Sequence, residues 1–306
     1  MNATRHPAAM DERQPNQFAV AEIAPYRLDL GEAGILPLCL SEDWQRPLPH
    51  IQGVLVMLHG RLRDATVYYR TALAAVGARP GWLVVVPQFL AEVDIAAHGL
   101  PARMLRWSLT GWMGGDAAQG PAGTSAFAVL DALLARLTDR LSGLRRLVVA
   151  GHSGGAQIVQ RYALLGTDRP NTHYVVANPS SYAFLDRDRP QPTDGCPDFD
   201  RWRYGLADLP AYAGAWTREA LAARYARRRV TYLLGAEDTD PAHPALDVSC
   251  AARCQGPHRR ARGEAFHAAL LARFPDCAHP LRLVPGVSHD GAAIFTAAAG
   301  LAALFG

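Results

Sequence analysis

Lysine does not occur in this 306-residue chain; every one of its 31 Lys+Arg side chains is arginine. Set against 28 acidic residues, they leave a formal charge of +3, too small a surplus to point to a nucleic-acid partner. The run Arg227-Arg228-Arg229 accordingly reads as a solvated helix end rather than an anion site. Long apolar runs are missing as well. No stretch approaches the roughly 20 residues that span a bilayer, so no membrane partner is expected. Residues 1–17 contain no apolar core of the kind that marks a signal peptide, and the chain reads as cytoplasmic. Cysteine is scarce. Cys39, Cys196, Cys250, Cys254 and Cys277 form no paired C-x-x-C spacing, which argues against a zinc site. Cys250 and Cys254 can share a helix face, but reduced, packed thiols are the expected state. With 49% hydrophobic and 19% charged residues, the chain is neither disordered nor fibrous.

What the chain does contain is a series of short, β-rich apolar runs alternating with helical patterns. Strands are predicted at 26–30, 35–40, 53–58, 82–87, 146–150, 172–177, 230–234 and 281–284. The runs V-L-V-M-L, W-L-V-V-V and L-V-V-A are apolar at every position, as in strands covered on both faces of a parallel sheet. Helical periodicity covers 65–76, 125–141, 155–165, 257–274 and 292–304. Two strands without a helix between them, followed by β-α alternation, predict a doubly wound α/β sheet with an antiparallel start. Residues 1–20 are polar and read as a flexible N-terminal arm before a single domain over 21–306. Two connections exceed ordinary βα loops. One, 88–124, holds Trp107 and Trp112. The other, about 182–229, holds Trp202, Tyr204, Tyr212 and Trp216 and reads as a helical lid insertion. These six aromatics are the candidate lining of an apolar substrate pocket.

The strand at 146–150 runs into Gly151-His152-Ser153-Gly154-Gly155, and a helical pattern begins at once. Glycines on both sides of a serine allow a turn too tight for a Cβ, and place the hydroxyl at a helix N-terminus. A serine hydroxyl needs a base to take its proton. His152 leaves the turn in another direction. In V-T-Y-L-L-G-A-E-D-T-D-P, Asp238 follows a late strand by one short turn, with Glu237 and Asp240 as alternatives for an orienting acid. In L-R-L-V-P-G-V-S-H-D-G, His289 lies between the last strand and the C-terminal helix. Two amides suit an oxyanion: that of Gly154, and that of Arg61 in the loop H-G-R-L-R-D after the third strand.

With these pieces in this order, the sequence resembles the α/β-hydrolase family from about residue 51 to its end. The matching segments are His59-Gly60, G-H-S-G-G, G-A-E-D and S-H-D. The resemblance implies an eight-stranded, mostly parallel sheet, a Ser153–Asp238–His289 triad, and chemistry with no metal and no cofactor. N-P-S-S-Y at 178–182 and L-L-G-A-E-D-T-D-P look like a subgroup of bacterial and fungal hydrolases of undefined substrate. No H-G-G-G run is present, so the lipase and esterase branch with that motif is not supported. The expected activity is hydrolysis of a carboxylic ester of a small or medium, apolar or aromatic molecule through an acyl-enzyme. Amide or peptide hydrolysis on the same residues is the alternative, and a lyase, perhydrolase or ligand receptor on the same fold is another. The Rossmann and P-loop glycine patterns of nucleotide-binding α/β proteins are absent.

Overall fold

A computed structural model describes residues 14–306. Its main sheet has eight strands: β1 (Tyr26–Asp29), β2 (Ile35–Leu40), β3 (Gly53–Leu58), β4 (Trp82–Pro87), β5 (Arg146–His152), β6 (Thr172–Ala177), β7 (Arg229–Gly235) and β8 (Leu281–Val284). Their spatial order is β1-β2-β4-β3-β5-β6-β7-β8. β2 pairs antiparallel with β1 and β4, and every other pairing is parallel. This is the doubly wound α/β sheet with an antiparallel start that the run pattern predicts.

The fully apolar strands are covered twice. Val54, Val56 and Leu58 of β3 and Leu147 and Val149 of β5 face one core. That core is closed by α3 (Ala126–Arg140), α4 (Gly154–Leu165), α5 (Arg218–Arg227) and α7 (Arg259–Arg273). The alternate residues Leu55, Met57, Val148 and Ala150 face a second core under α1 (Ala65–Val76), α8 (Gly291–Thr296) and α9 (Ala298–Phe305). The helical pattern at 292–304 is thus two helices rather than one. Ala297 is extended between them, and a Cβ on Gly300 would lie 2.1 Å from the Ile294 carbonyl oxygen, so the chain folds tightly back there. The short helices α2 (Glu92–His98) and α6 (Cys250–Arg253) lie in connections. No helix among the described residues is long and apolar enough to cross a membrane.

Three expectations need correction. Of the expected N-terminal arm 1–20, residues 1–13 lie outside the described residues, and 14–20 are not loose. Buried Arg63 donates to the carbonyls of Asn16 and Phe18 (each 2.8 Å), and the Val20 amide donates to Asp94 (2.9 Å). Next, the only α-helix within 182–229 is α5, which packs on α4 as the crossover from β6 to β7. The rest of that segment is irregular and held by ion pairs from Arg187, Arg189 and Arg218 to buried Asp200, so it is not a helical lid. Third, the cysteines are not all reduced: Cys196 and Cys250 form a disulfide, while Cys39, Cys254 and Cys277 are free thiols. Cys250 pairs across space with Cys196 instead of along its own helix with Cys254.

Candidate active site

Parallel strands deliver their C-terminal ends to one edge of the sheet, and the candidate residues follow β3, β5, β6, β7 and β8 there. At the end of β5 the chain turns through Ser153 with φ 56° and ψ −119°, a conformation that side chains other than glycine rarely adopt. The flanking glycines permit it by close approach. A Cβ on Gly151 would lie 2.3 Å from the Gly155 backbone, and one on Gly155 would lie 2.2 Å from the Leu58 carbonyl oxygen. Only residues without a Cβ let α4 start this close to β3 and β5. The Ser153 amide is engaged by the Ala177 carbonyl (3.0 Å), so the amide after it, at Gly154, is the one that heads α4.

Ser153, His289 and Asp238 come together. His289 Nε2 lies 3.0 Å from Ser153 Oγ, and its Nδ1 lies 2.8 Å from Asp238 Oδ2. Ser153 and Asp238 are buried, and the His289 side chain is 3% exposed. Burial first, and then the positive charge of Arg259, holds the His289 imidazole well below its ordinary range, which keeps it neutral. Burial likewise raises the Asp238 carboxyl above its ordinary value, against the opposing pull of Arg259. Of the alternatives to Asp238, Asp240 accepts the Ala242 amide in a local turn, whereas Asp238 is the carboxylate on His289 Nδ1. Asp290 caps α8 by accepting from the Ala292 and Ala293 amides.

The loop after β3 is rigid for identifiable reasons. His59 is fully buried; its Nδ1 donates to the Gly60 carbonyl (2.8 Å) and its Nε2 accepts from the Phe89 amide (2.9 Å). Those two bonds set its tautomer, and burial pushes its imidazole down to about 4. Four residues on, Arg63 has φ 64° and makes a buried ion pair with Asp94 (2.7 Å). Between these two anchors, the Arg61 amide nitrogen stands 3.0 Å from where a Gly154 Cβ would be. The Gly154 and Arg61 backbones are therefore neighbours beside the serine.

The cavity at Ser153 measures about 320 Å³ and is polar. Gln157, Met113, Asn16 and Thr110 line it. Arg61, Ser180, Arg203, Tyr204 and the stretch 244–247 form its walls. Of the six candidate aromatics only Tyr204 lines it, with its hydroxyl on Asp247 (2.9 Å). Trp107 and Trp112 are wholly buried in the core, their indole N–H groups satisfied by the carbonyls of Asp116 and Leu109. Trp202 and Tyr212 pack on Phe127, and their polar ends go to the Gly114 carbonyl and to Asp131. Trp216 is a surface residue with Arg224 over its ring. The aromatics build the long connections, and polar residues between them face the cavity.

Sequence reasoning missed Gln157, Ser180, Arg203, Asp247 and Arg259. Gln157 had a signal, since it lies one helical turn after Ser153 and so on the same face. Ser180 follows the end of β6, at the same sheet edge. Arg203 and Asp247 sit in irregular chain and Arg259 on a helix far along the sequence, where no local pattern announces them.

Neither a family profile nor a curated relative matches the sequence. Solved structures do. Poly(aspartic acid) hydrolase-1 from Sphingomonas sp. KT-1 matches with a TM-score of 0.71 at 21% identity, over 93% of this chain and 98% of that one. LpqC, a poly(3-hydroxybutyrate) depolymerase from Bordetella parapertussis, matches with a TM-score of 0.66 at 24% identity, over 94% and 95% of the two chains. The chain has the α/β-hydrolase fold.

Proposed function

We propose that this α/β-hydrolase-fold protein is a serine hydrolase acting on the ester of a small, polar or anionic acyl group. The observation that carries the reading is the continuous Ser153–His289–Asp238 hydrogen-bonded chain beside an open cavity. His289, kept neutral by burial and by Arg259, takes the Ser153 proton as Oγ attacks the acyl carbon. Asp238 holds the imidazole in the tautomer that presents Nε2 to the serine, and stabilises the imidazolium that forms. The developing oxyanion is received by the amides of Gly154 and Arg61. The imidazolium then returns its proton to the leaving oxygen, and water, activated by the same histidine, releases the acid.

The polar character of the substrate is read from the cavity. Arg61, Arg203, Gln157 and Asp247 line it, and of the six expected aromatics Tyr204 alone joins them. The two named neighbours are both hydrolytic, but their likeness carries the fold, so the bond and the substrate are argued from this cavity.

A fluorophosphonate probe tests the reading. It is expected to label the native protein once, at Ser153, and to leave Ser153→Ala unlabelled. Turnover of a p-nitrophenyl ester is expected to fall by several orders of magnitude in that variant, on the order of 10⁶ in a fully assembled triad. Absence of label on the native protein, or equal label on the variant, overturns the proposal. Matched p-nitroanilides beside the esters decide between ester and amide cleavage.

A further inference from the structure

The far end of the sheet holds a second cavity, of about 530 Å³. It owes its existence to parallel pairing. β5, β6 and β7 begin side by side, with Thr172 opposite Leu147 and His173 opposite Arg229. The residues just before each strand therefore converge. Arg145 and Arg146 enter β5, Arg169 lies in the turn before β6, and Arg227, Arg228 and Arg229 join α5 to β7; all six line the cavity. The triple-arginine run is thus more than a solvated helix end, because the fold sets it opposite three further guanidinium groups.

These arginines are unequally committed. Arg228 is bound to Asp168 (2.6 Å), the one carboxylate side chain among the described residues of the lining, and to the closing carbonyls of α4. Arg146 reaches the carbonyls of Phe305 and Gly306 (each 2.8 Å), and Arg229 also contacts Gly306. Arg169 bonds the Asp131 carbonyl through Nη2, but its buried Nε has no partner among the described residues. The second orphan is His173, 4% exposed, which lines the cavity. Its Nε2 meets Thr231 Oγ1 (2.9 Å), while its Nδ1 has no partner among the described residues. In the tautomer whose Nε2 accepts from the threonine hydroxyl, Nδ1 carries the ring proton and is a buried donor, the form that an inserted oxygen selects.

We propose that this cavity is a binding site for a small, multiply charged anion of the phosphate or polycarboxylate kind. Guanidinium forks from three chain segments suit the clustered oxygens of such a group, and an inserted oxygen satisfies His173 Nδ1 and Arg169 Nε. A nucleic-acid backbone fits less well, because the orphan donors are buried at the strand ends rather than spread along a surface. His173 senses the surplus charge: burial, then Arg229 and Arg146 with His279, push its imidazole down to about 4. Six residues of β6 separate this cavity from the Ser153 edge, about 20 Å at strand rise, so the site stands apart from the candidate active site.

Calorimetric titration with inorganic pyrophosphate tests the assignment, beside citrate, a single-stranded oligonucleotide, and sodium chloride at matched ionic strength. Pyrophosphate or citrate is expected to bind with one-to-one stoichiometry, and whichever is tighter assigns the ligand to phosphates or to polycarboxylates. Arg169→Gln/Arg229→Gln is expected to weaken binding about tenfold or more. In the wild-type protein, which needs no variant to fold, the NMR signal of the His173 ring is expected to shift as pyrophosphate is added. A response no larger than that to sodium chloride overturns the proposal. So does binding of the oligonucleotide alone, a His173 signal that stays put while the anion binds, or binding abolished by Arg203→Gln in the other cavity.

Discussion

Arg259 Nη1 stands 3.4 Å from Oδ1 of Asp238, while the other oxygen of that carboxylate faces His289 at 2.8 Å. The acid is thus held between a fixed, wholly buried cation and the imidazole. Arg259 is itself steadied by the Ser180 hydroxyl (3.1 Å). Removing one partner of a buried pair leaves a buried charge uncompensated, at about 3–5 kcal/mol. Arg259→Gln is therefore expected to lower thermal stability clearly. It also removes a positive charge that holds the His289 imidazole down. Because the proposed base must be neutral, the acid limb of kcat/KM lies below pH 6.5 in the wild-type protein and moves to higher pH in the variant. Arg259→Lys restores part of that displacement. A limb that stays put in Arg259→Gln, even with lowered stability, shows that the arginine acts only on packing.

Acid sensitivity of folding follows from other histidines. Burial pushes the imidazoles of His59, His173 and His279 down to about 4, from an ordinary 6.5. Between those values the unfolded chain binds protons that the folded one refuses. Stability is therefore fully present above pH 6.5 and is lost as pH falls through the window, at up to about 1.4 kcal/mol per pH unit for each group. Asp238, whose carboxyl is raised by burial, offsets part of this at the acid end. Melting temperature is expected to fall steadily from pH 7 to 4.5, with net proton uptake on unfolding seen by calorimetry in two buffers. A flat profile would contradict the buried, neutral state of these rings.

The sheet and the meeting of Ser153, Asp238 and His289 were legible for the same reason. Apolar runs with turn signals locate strand ends, and parallel pairing sends those ends to one edge. Glycines around Ser153 carry their own geometric message. The cavity lining was not legible, because an aromatic residue in a long connection has two destinations and composition does not choose between them. Trp107 and Trp112 went inward, where their indole N–H groups found backbone carbonyls. Arg203, in the same irregular chain as Trp202, turned toward the serine. The Cys196–Cys250 bond was equally hidden, since it joins an irregular stretch to the start of α6, 54 positions further along, and the two meet only in the folded chain.

Arg203 makes the substrate proposal specific. Its Nη1 donates to the Thr110 carbonyl (3.0 Å) and its Nη2 lies 3.5 Å from Asp116, so the group is placed but only partly neutralised. Beneath it, wholly buried Arg161 is held by the carbonyls of Arg203 and Met113 and by Gln157 and Ser181, with no carboxylate partner among the described residues. Burial, then the charge of Arg203, pushes the Arg161 guanidinium down to about 9, against the opposing pull of Tyr204, Asp247 and Asp116. A p-nitrophenyl hemiester of a dicarboxylic acid is expected to exceed the neutral ester of the same length in kcat/KM. The ratio should fall in Arg203→Gln, and in the native protein as salt is raised. Equal rates on the two esters at low salt would remove the anionic substrate from the proposal and leave the serine chemistry standing.

The disulfide ties the two segments that wall the candidate active site. Cys196 lies in the irregular stretch that brings Arg203 and Tyr204, and Cys250 follows Asp247, which accepts from the Tyr204 hydroxyl (2.9 Å). Closing a loop of this length restrains the unfolded chain and contributes about 2–4 kcal/mol. Cys196→Ser/Cys250→Ser is expected to melt several degrees lower. Because the lost restraint falls on the cavity wall, the variant should show a raised KM for the ester while the fluorophosphonate label on Ser153 persists. The elbow itself, the tight turn at Ser153, is held elsewhere, by Gly151 paired with β3 and Gly155 packed against its end. Loss of label together with the KM effect would mean that the wall and the elbow fold as one unit. Unchanged melting and unchanged KM would mean that the two cysteines are not joined in the native protein.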